Sequence, residues 1–204
     1  MAIIHHTTLS PTKLELLAEW LPGRPWYAGG DRAPELSKAG GFRLDDPDGE
    51  VGIEFMVAVD ASGALPVSYL VPLTYRGAPL DGAESALVGT MEHGVLGKRW
   101  AYDGTHDPVL LAQLHALFAG RAVPQMQSVT DTPDPSVAVE SAPGAADAPT
   151  GPAAEPRSAL HFNRVLEPSA PAPDGALGQV VAGWTLPDGT EQRAVLLALL
   201  PTVP

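Results

Sequence analysis

The 204-residue chain contains no cysteine, which excludes disulfides, thiol catalysis and thiolate metal sites. Basic residues are few: 12 Lys and Arg stand against 24 Asp and Glu, for a formal net charge of −12. Nucleic acid needs a basic footprint and an anionic membrane attracts one, so neither is expected as a partner. Long apolar runs are missing too. The longest, residues 194–200, falls far short of the ~20 residues that span a bilayer. The first residues lack the basic-then-apolar pattern of a signal peptide, and the expectation is a cytoplasmic protein. Aromatics make up 6% of the chain, so where they cluster is informative.

Several reactive motifs are incomplete or absent. There is no Gly-x-Ser-x-Gly elbow of a serine hydrolase. Gly97 and Lys98 invite a phosphate-loop reading, but Glu92 and Arg99 occupy the places where that motif needs a glycine and a hydroxyl residue. Of the six histidines only His5 and His6 are adjacent. Zinc wants three or four ligands in fixed geometry, and pairs such as Glu92 with His93 or His106 with Asp107 supply none by spacing alone. Asp45, Asp46, Asp48 and Glu50 surround Pro47 and Gly49 without the distal glutamate of a calcium loop, and they read as a tight acidic turn. No metal site, cofactor or catalytic residue is nominated.

What is present is a pattern of strands and two helices. Ser10 and Pro11 read as a cap and first residue of a helix, with Leu14, Leu17, Ala18 and Leu21 on one face and Pro22 and Gly23 as its stop. A short strand is expected at 41–44. Val51, Ile53, Phe55, Val57 and Val59 alternate strictly with other residues and give the clearest strand. Residues 67–76 follow as a second strand, in which Pro72 predicts an edge or a bulge. Residues 85–93 and 96–102 form another pair. Asp107 and Pro108 start a second helix, which Gly120 stops. Strands are expected at 160–166, 177–186 and 191–200, the last two joined by a turn at 187–190. Residues 124–158 hold seven prolines and no Leu, Ile, Phe, Tyr or Trp, which predicts a disordered linker. The expected organisation is a domain at 1–123, the linker at 124–158, and a strand plus hairpin at 159–204 completing the same sheet.

The densest aromatic cluster is Trp20, Trp26 and Tyr27, around Leu21, Arg24, Ala28 and Gly29. With Tyr69 to Arg76 downstream, it resembles the N-terminal cap domain of actinobacterial maltokinases. Gly89, Thr90, Tyr102, Asp103, Gly104 and the helix at 107–120 extend the resemblance more loosely, over about 8–122. The resemblance implies an α+β fold: a curved antiparallel sheet with two helices, cystatin-like in outline. It also implies a place near maltose, trehalose and α-glucan metabolism. Residues 123–204 hold too little chain for the lobes of a kinase, so no kinase residue is carried over and the chain is read as a non-enzyme. The favoured expectation is a cap-like protein that binds or regulates a kinase or another glucan- or trehalose-pathway enzyme. A carbohydrate-binding module using Trp20, Trp26 and Tyr27 is the first alternative, and an α-glucan-related enzyme is the second. The candidate ligand or partner surface is Trp20, Arg24, Trp26, Tyr27, Arg76 and Trp100, in which arginines can lie over aromatic rings.

Overall fold

The computed structural model describes residues 8–142 and 158–202. In chain order the elements are β1 (Leu9–Ser10), α1 (Lys13–Trp20), β2 (Leu36–Leu44), β3 (Gly52–Asp60), β4 (Val67–Arg76), β5 (Leu87–His93), β6 (Gly97–Asp103), α2 (Pro108–Phe118), β7 (Ala138–Ser141), β8 (Ser158–Phe162), β9 (Gly178–Thr185) and β10 (Glu191–Pro201). The strands form one antiparallel, unclosed sheet in the order β1-β5-β6-β4-β3-β2-β9-β10-β8, with β7 also paired to β9. The class is α+β, as expected. No helix among the described residues is long and apolar enough to cross a membrane.

Both helices begin on capping chemistry. Asp107 caps α2 by accepting from the Val109 N–H, with Pro108 at the first helical position. The cap of α1 is Thr12 rather than Ser10. Thr12 and Glu15 form a reciprocal capping box, and Ser10 belongs to β1 instead. The acidic turn forms as expected: the Asp46 carboxylate accepts from the N–H groups of Asp48, Glu50 and Val51.

Strand β2 is longer than the pattern implied because it continues through a bulge at Ala39 and Gly40. Its pairing with β3 slips by one residue between Lys38 and Gly40. Gly41 has φ +117°, and a Cβ there would stand 1.9 Å from the Phe55 carbonyl oxygen. A Cβ on Gly40 would stand 2.8 Å from the Gly183 oxygen. Gly40 thus lets β9 reach β2, where it pairs with Trp184, while Gly41 lets β3 approach closely from the other side.

Pro72 lies in a central strand, yet at a local edge. Along β4 the N–H groups alternate sides. Leu70 N–H reaches the Arg164 oxygen, so even-numbered residues face away from β3. On that side β6 pairs with 73–76, while residues 164–166 pair with 68–70 through Leu70 to Arg164 and Leu166 to Ser68. Pro72 sits where the two partners part, and its missing N–H deprives neither.

The two faces of β3 and β4 bury different cores. Ile53, Phe55, Val57, Val59 and Leu70 pack inside the curl with α2, β9 and β10, contacting Leu110, Leu114, Trp184 and Leu196. Across this core the indole N–H of Trp184 donates to Ser68 Oγ at 2.9 Å, joining β9 to β4. Met56, Tyr69, Val71 and Leu73 point outward and are covered by Leu17, Trp20 and Leu21 of α1 and the turn behind it.

The linker expectation is corrected over 124–142. Gln125 pairs with Arg43 through two backbone hydrogen bonds, Val137 is buried, and β7 pairs with β9. Proline-rich composition does not preclude order when a preformed sheet edge supplies the hydrogen-bond partners. Residues 143–157 of that stretch lie outside the described residues. In the C-terminal part, β8 ends at Phe162 rather than extending to 166, and Asn163 to Leu166 cross from β10 toward β4.

Candidate functional site

Trp20 ends α1, and the 3-10 turn Leu21–Gly23 follows at once. Pro22 and Pro25 restrict φ on either side of Arg24. Arg24 N–H donates to the Leu21 oxygen and Tyr27 N–H to the Arg24 oxygen, so the turn is closed twice. This backbone brings the rings together. Trp20 and Trp26 meet edge-on at 5.8 Å, Trp26 lies 6.0 Å from Tyr69, and Tyr27 stacks on Tyr69 at 5.7 Å. Tyr69 is fully buried and its hydroxyl accepts from the Ala28 N–H.

Tyr27 is a structural post. Its hydroxyl donates to Asp60 Oδ2 at 2.9 Å, while Asp60 Oδ1 accepts from the N–H groups of Glu35 and Ser62. Burial first, then the hydrogen bond to Asp60 and its charge, push the Tyr27 hydroxyl up to about 12, so it stays protonated and donating. Gly29 lies beneath the same ring, where a Cβ would meet the Tyr27 hydroxyl at 2.0 Å.

Two guanidiniums flank the indoles. Arg24 lies 4.7 Å from the centroid of Trp20, and Arg164 lies 5.0 Å from that of Trp26. Arg164 is held from behind: its Nη2 donates to both Asp103 oxygens and to Thr105 Oγ1. No local pattern connects Arg164, about 140 positions downstream, with this corner. Only the crossing from β10 to β4 places it there.

The six candidate residues divide into two groups. Trp20, Arg24, Trp26 and Tyr27 form one surface. Arg76 and Trp100 are cross-strand partners on β4 and β6, on the opposite face of the sheet. Among the described residues Arg76 lies over no aromatic ring. It forms a paired hydrogen bond with Asp107, at 2.7 Å for both contacts, and Asp107 is fully buried. Burial pushes the Asp107 carboxyl up, but hydrogen bonds led by Arg76 outweigh it and hold the group below its ordinary range. Trp100 packs near Ala83, Ala86 and Tyr102, with Lys98 over its ring.

Residues 20–107 match the maltokinase N-terminal cap domain. This segment is a homologue of that domain. No curated protein matches the chain.

The cap segment runs from the aromatic corner to the N-cap of α2 and includes β2 to β6. It does not cover its own inner face: Phe42, Phe55, Val57 and Leu70 are buried by α2, β9 and β10, which follow the matched residues. The signature residues of the cap are therefore packing residues first, with Tyr27, Gly29 and Tyr69 locking the corner onto the sheet.

One buried charge escaped the sequence reading altogether. Glu54, 3% exposed on the α1 face of β3, accepts from Lys13, Lys38 at 3.2 Å, the Tyr75 hydroxyl at 2.8 Å and Gln127 at 3.0 Å. Its partners come from α1, β2, β4 and the stretch after α2. No motif spacing could reveal it, although a lone glutamate in an otherwise apolar alternation was a visible irregularity. Among the described residues no group of three or more His, Cys, Asp or Glu could hold a metal ion.

Proposed function

We propose that this protein binds and regulates an enzyme of maltose, trehalose or α-glucan metabolism through its cap segment, and that it does no chemistry itself. The match of residues 20–107 to the cap alone, rather than to a kinase lobe, carries the proposal. The state of the buried carboxylates supports it. Glu54, Asp103 and Asp107 are each held by basic side chains, in roles that brace the sheet. A general acid or base needs a side chain able to meet a substrate proton, and these three are committed elsewhere.

The covering of the indoles bears on the sugar-binding alternative. Trp20 is buried under Arg24 and Trp26, and Trp26 is packed by Arg164, Trp20 and Tyr69. A pyranose stacks on an open ring face. Partner binding therefore accounts for this corner better than sugar stacking does.

The test is capture with the purified chain as bait, followed by reconstitution with purified maltokinase and other maltose-, trehalose- and α-glucan-acting enzymes. Co-elution with one of them, and a change in its rate, is the expected result. Retention of none at low and physiological salt overturns the proposal. Turnover of maltose and ATP by the chain alone overturns its non-catalytic part.

A further inference from the structure

The aromatic corner carries a guanidinium with no anionic partner among the described residues. It belongs to Arg24, which is stacked on Trp20. Trp20 is 7% exposed, and its Nε1 has no acceptor. Arg24 Nε and Arg164 Nη1 are also buried without one. These three nitrogens are packed away from a partner; the donors left at the surface are the two Nη groups of Arg24, which make no hydrogen bond or ion pair among the described residues. A guanidinium edge that faces the surface without an anion gains a charge-assisted contact when a carboxylate arrives, while the indole beneath it shields that contact from water on one side.

A carboxylate is the acceptor that suits the geometry. Its two oxygens match the fork of a guanidinium, and a guanidinium stacked on an indole keeps its N–H edge outward. The turn is already rigid through its two backbone hydrogen bonds and its prolines, so little freedom is lost on binding. Pro22, Gly23 and Pro25 are exposed around Arg24, which suits a partner's surface more than an enclosed small molecule. Tryptophan, tyrosine and arginine are also the side chains that dominate protein–protein affinity.

We propose that Arg24, stacked on the buried Trp20, and the half-buried Trp26, backed by Arg164, form a docking surface for an acidic segment of a partner protein. A partner carboxylate accepts from Arg24 while the neighbouring chain packs on the exposed edges of the turn. This rests on the partner-binding reading and narrows its chemistry. The surface combines residues inside the cap match with one outside it, so the cap segment alone does not supply the whole of it.

The test uses the full chain with ¹⁵N-labelled tryptophan indoles, titrated with an end-capped ten-residue Glu/Asp peptide at low salt. The indole N–H signals of Trp20 and Trp26 should move and that of Trp100 should stay. Arg24→Gln should weaken binding about tenfold, as expected for loss of a charge-assisted contact. Arg121→Gln, an exposed arginine after α2, should leave it unchanged. Arg24→Lys keeps the charge without the fork; it should bind in between and serves as the second variant if the glutamine form misfolds. Equal losses from Arg24→Gln and Arg121→Gln would reduce the effect to general charge attraction and overturn the proposal, as would unmoved indole signals. Sodium acetate that reproduces the shifts in full would overturn the protein-segment assignment. A peptide that fails here leaves the pathway reading to its own capture experiment. A peptide that binds while no pathway enzyme is retained overturns that reading alone.

Discussion

Replacing Glu54 with glutamine tests the buried charge under α1. Burial pushes this carboxyl up, but attraction to Lys13 and Lys38 and hydrogen bonds from Lys13 and Tyr75 outweigh it, bringing it from 4.5 to about 2. By linkage, that fall corresponds to about 3 kcal/mol of stability. The sign follows from which state takes up the proton first. The unfolded carboxyl protonates near 4.5, while the folded one stays charged until about 2. The contribution is therefore complete well above 4.5, declines as pH falls below it, and is lost through about 2. Glutamine keeps the size but turns amide hydrogens toward existing donors. Lys13 and Lys38 are 30% and 38% exposed and can relax into water, which lowers the expected loss to about 2 kcal/mol at neutral pH. In a chain of this size that is a fall of about 4–8 °C in Tm. Urea unfolding of wild type and E54Q near pH 7 and pH 3 provides the assay. The gap between them should shrink by about half or more at the lower pH. A gap independent of pH would mean that Glu54 carries no charge in the folded state, and a gap near zero at neutral pH would mean that its four partners contribute nothing.

Other positions give equally direct checks. Arg76→Met strands the fully buried Asp107 carboxylate and should destabilise by about 3 kcal/mol or more, read by chemical denaturation. Gly41→Ala, where a Cβ would strike the Phe55 oxygen, should lose about 2–4 kcal/mol; Gly49→Ala, at φ +72° in open space, should lose about 1. Similar losses at the two sites would refute the close approach of β3 at Gly41. Trp26→Ala should cost about 2 kcal/mol, below the ~3–5 of a fully buried aromatic, because Trp26 is half-buried; an unchanged Tm would place the ring outside the packed corner. A chain cut at a protease site introduced within 143–157 should still elute as one particle, since β9 and β10 share the sheet and core of β2 to β4; separated fragments would contradict that packing.

Local pattern fixed the regular elements of this protein. Strict alternation marked β3, the turn after it led into β4, the Asp107–Pro108 pair marked the start of α2, and the crowding of Trp20, Trp26 and Tyr27 marked the corner that carries the cap homology. These signals survive because alternation, capping and turn preferences act over a few residues. Where two local signals competed, the choice was not legible: Ser10 and Thr12 are both plausible caps, and the capping box with Glu15 favoured the second. Tertiary structure alone decided the pairings made across the chain. Residues 124–142 read as linker until β2 took up Gln125 and β9 took up 138–141. Glu54 was one polar letter in an apolar strand until four elements brought donors to it, and Arg164 was anonymous until the crossing from β10 to β4 laid it on Trp26. Burial and charge pairing depend on which distant segments meet, and no property of an isolated stretch of chain encodes that meeting.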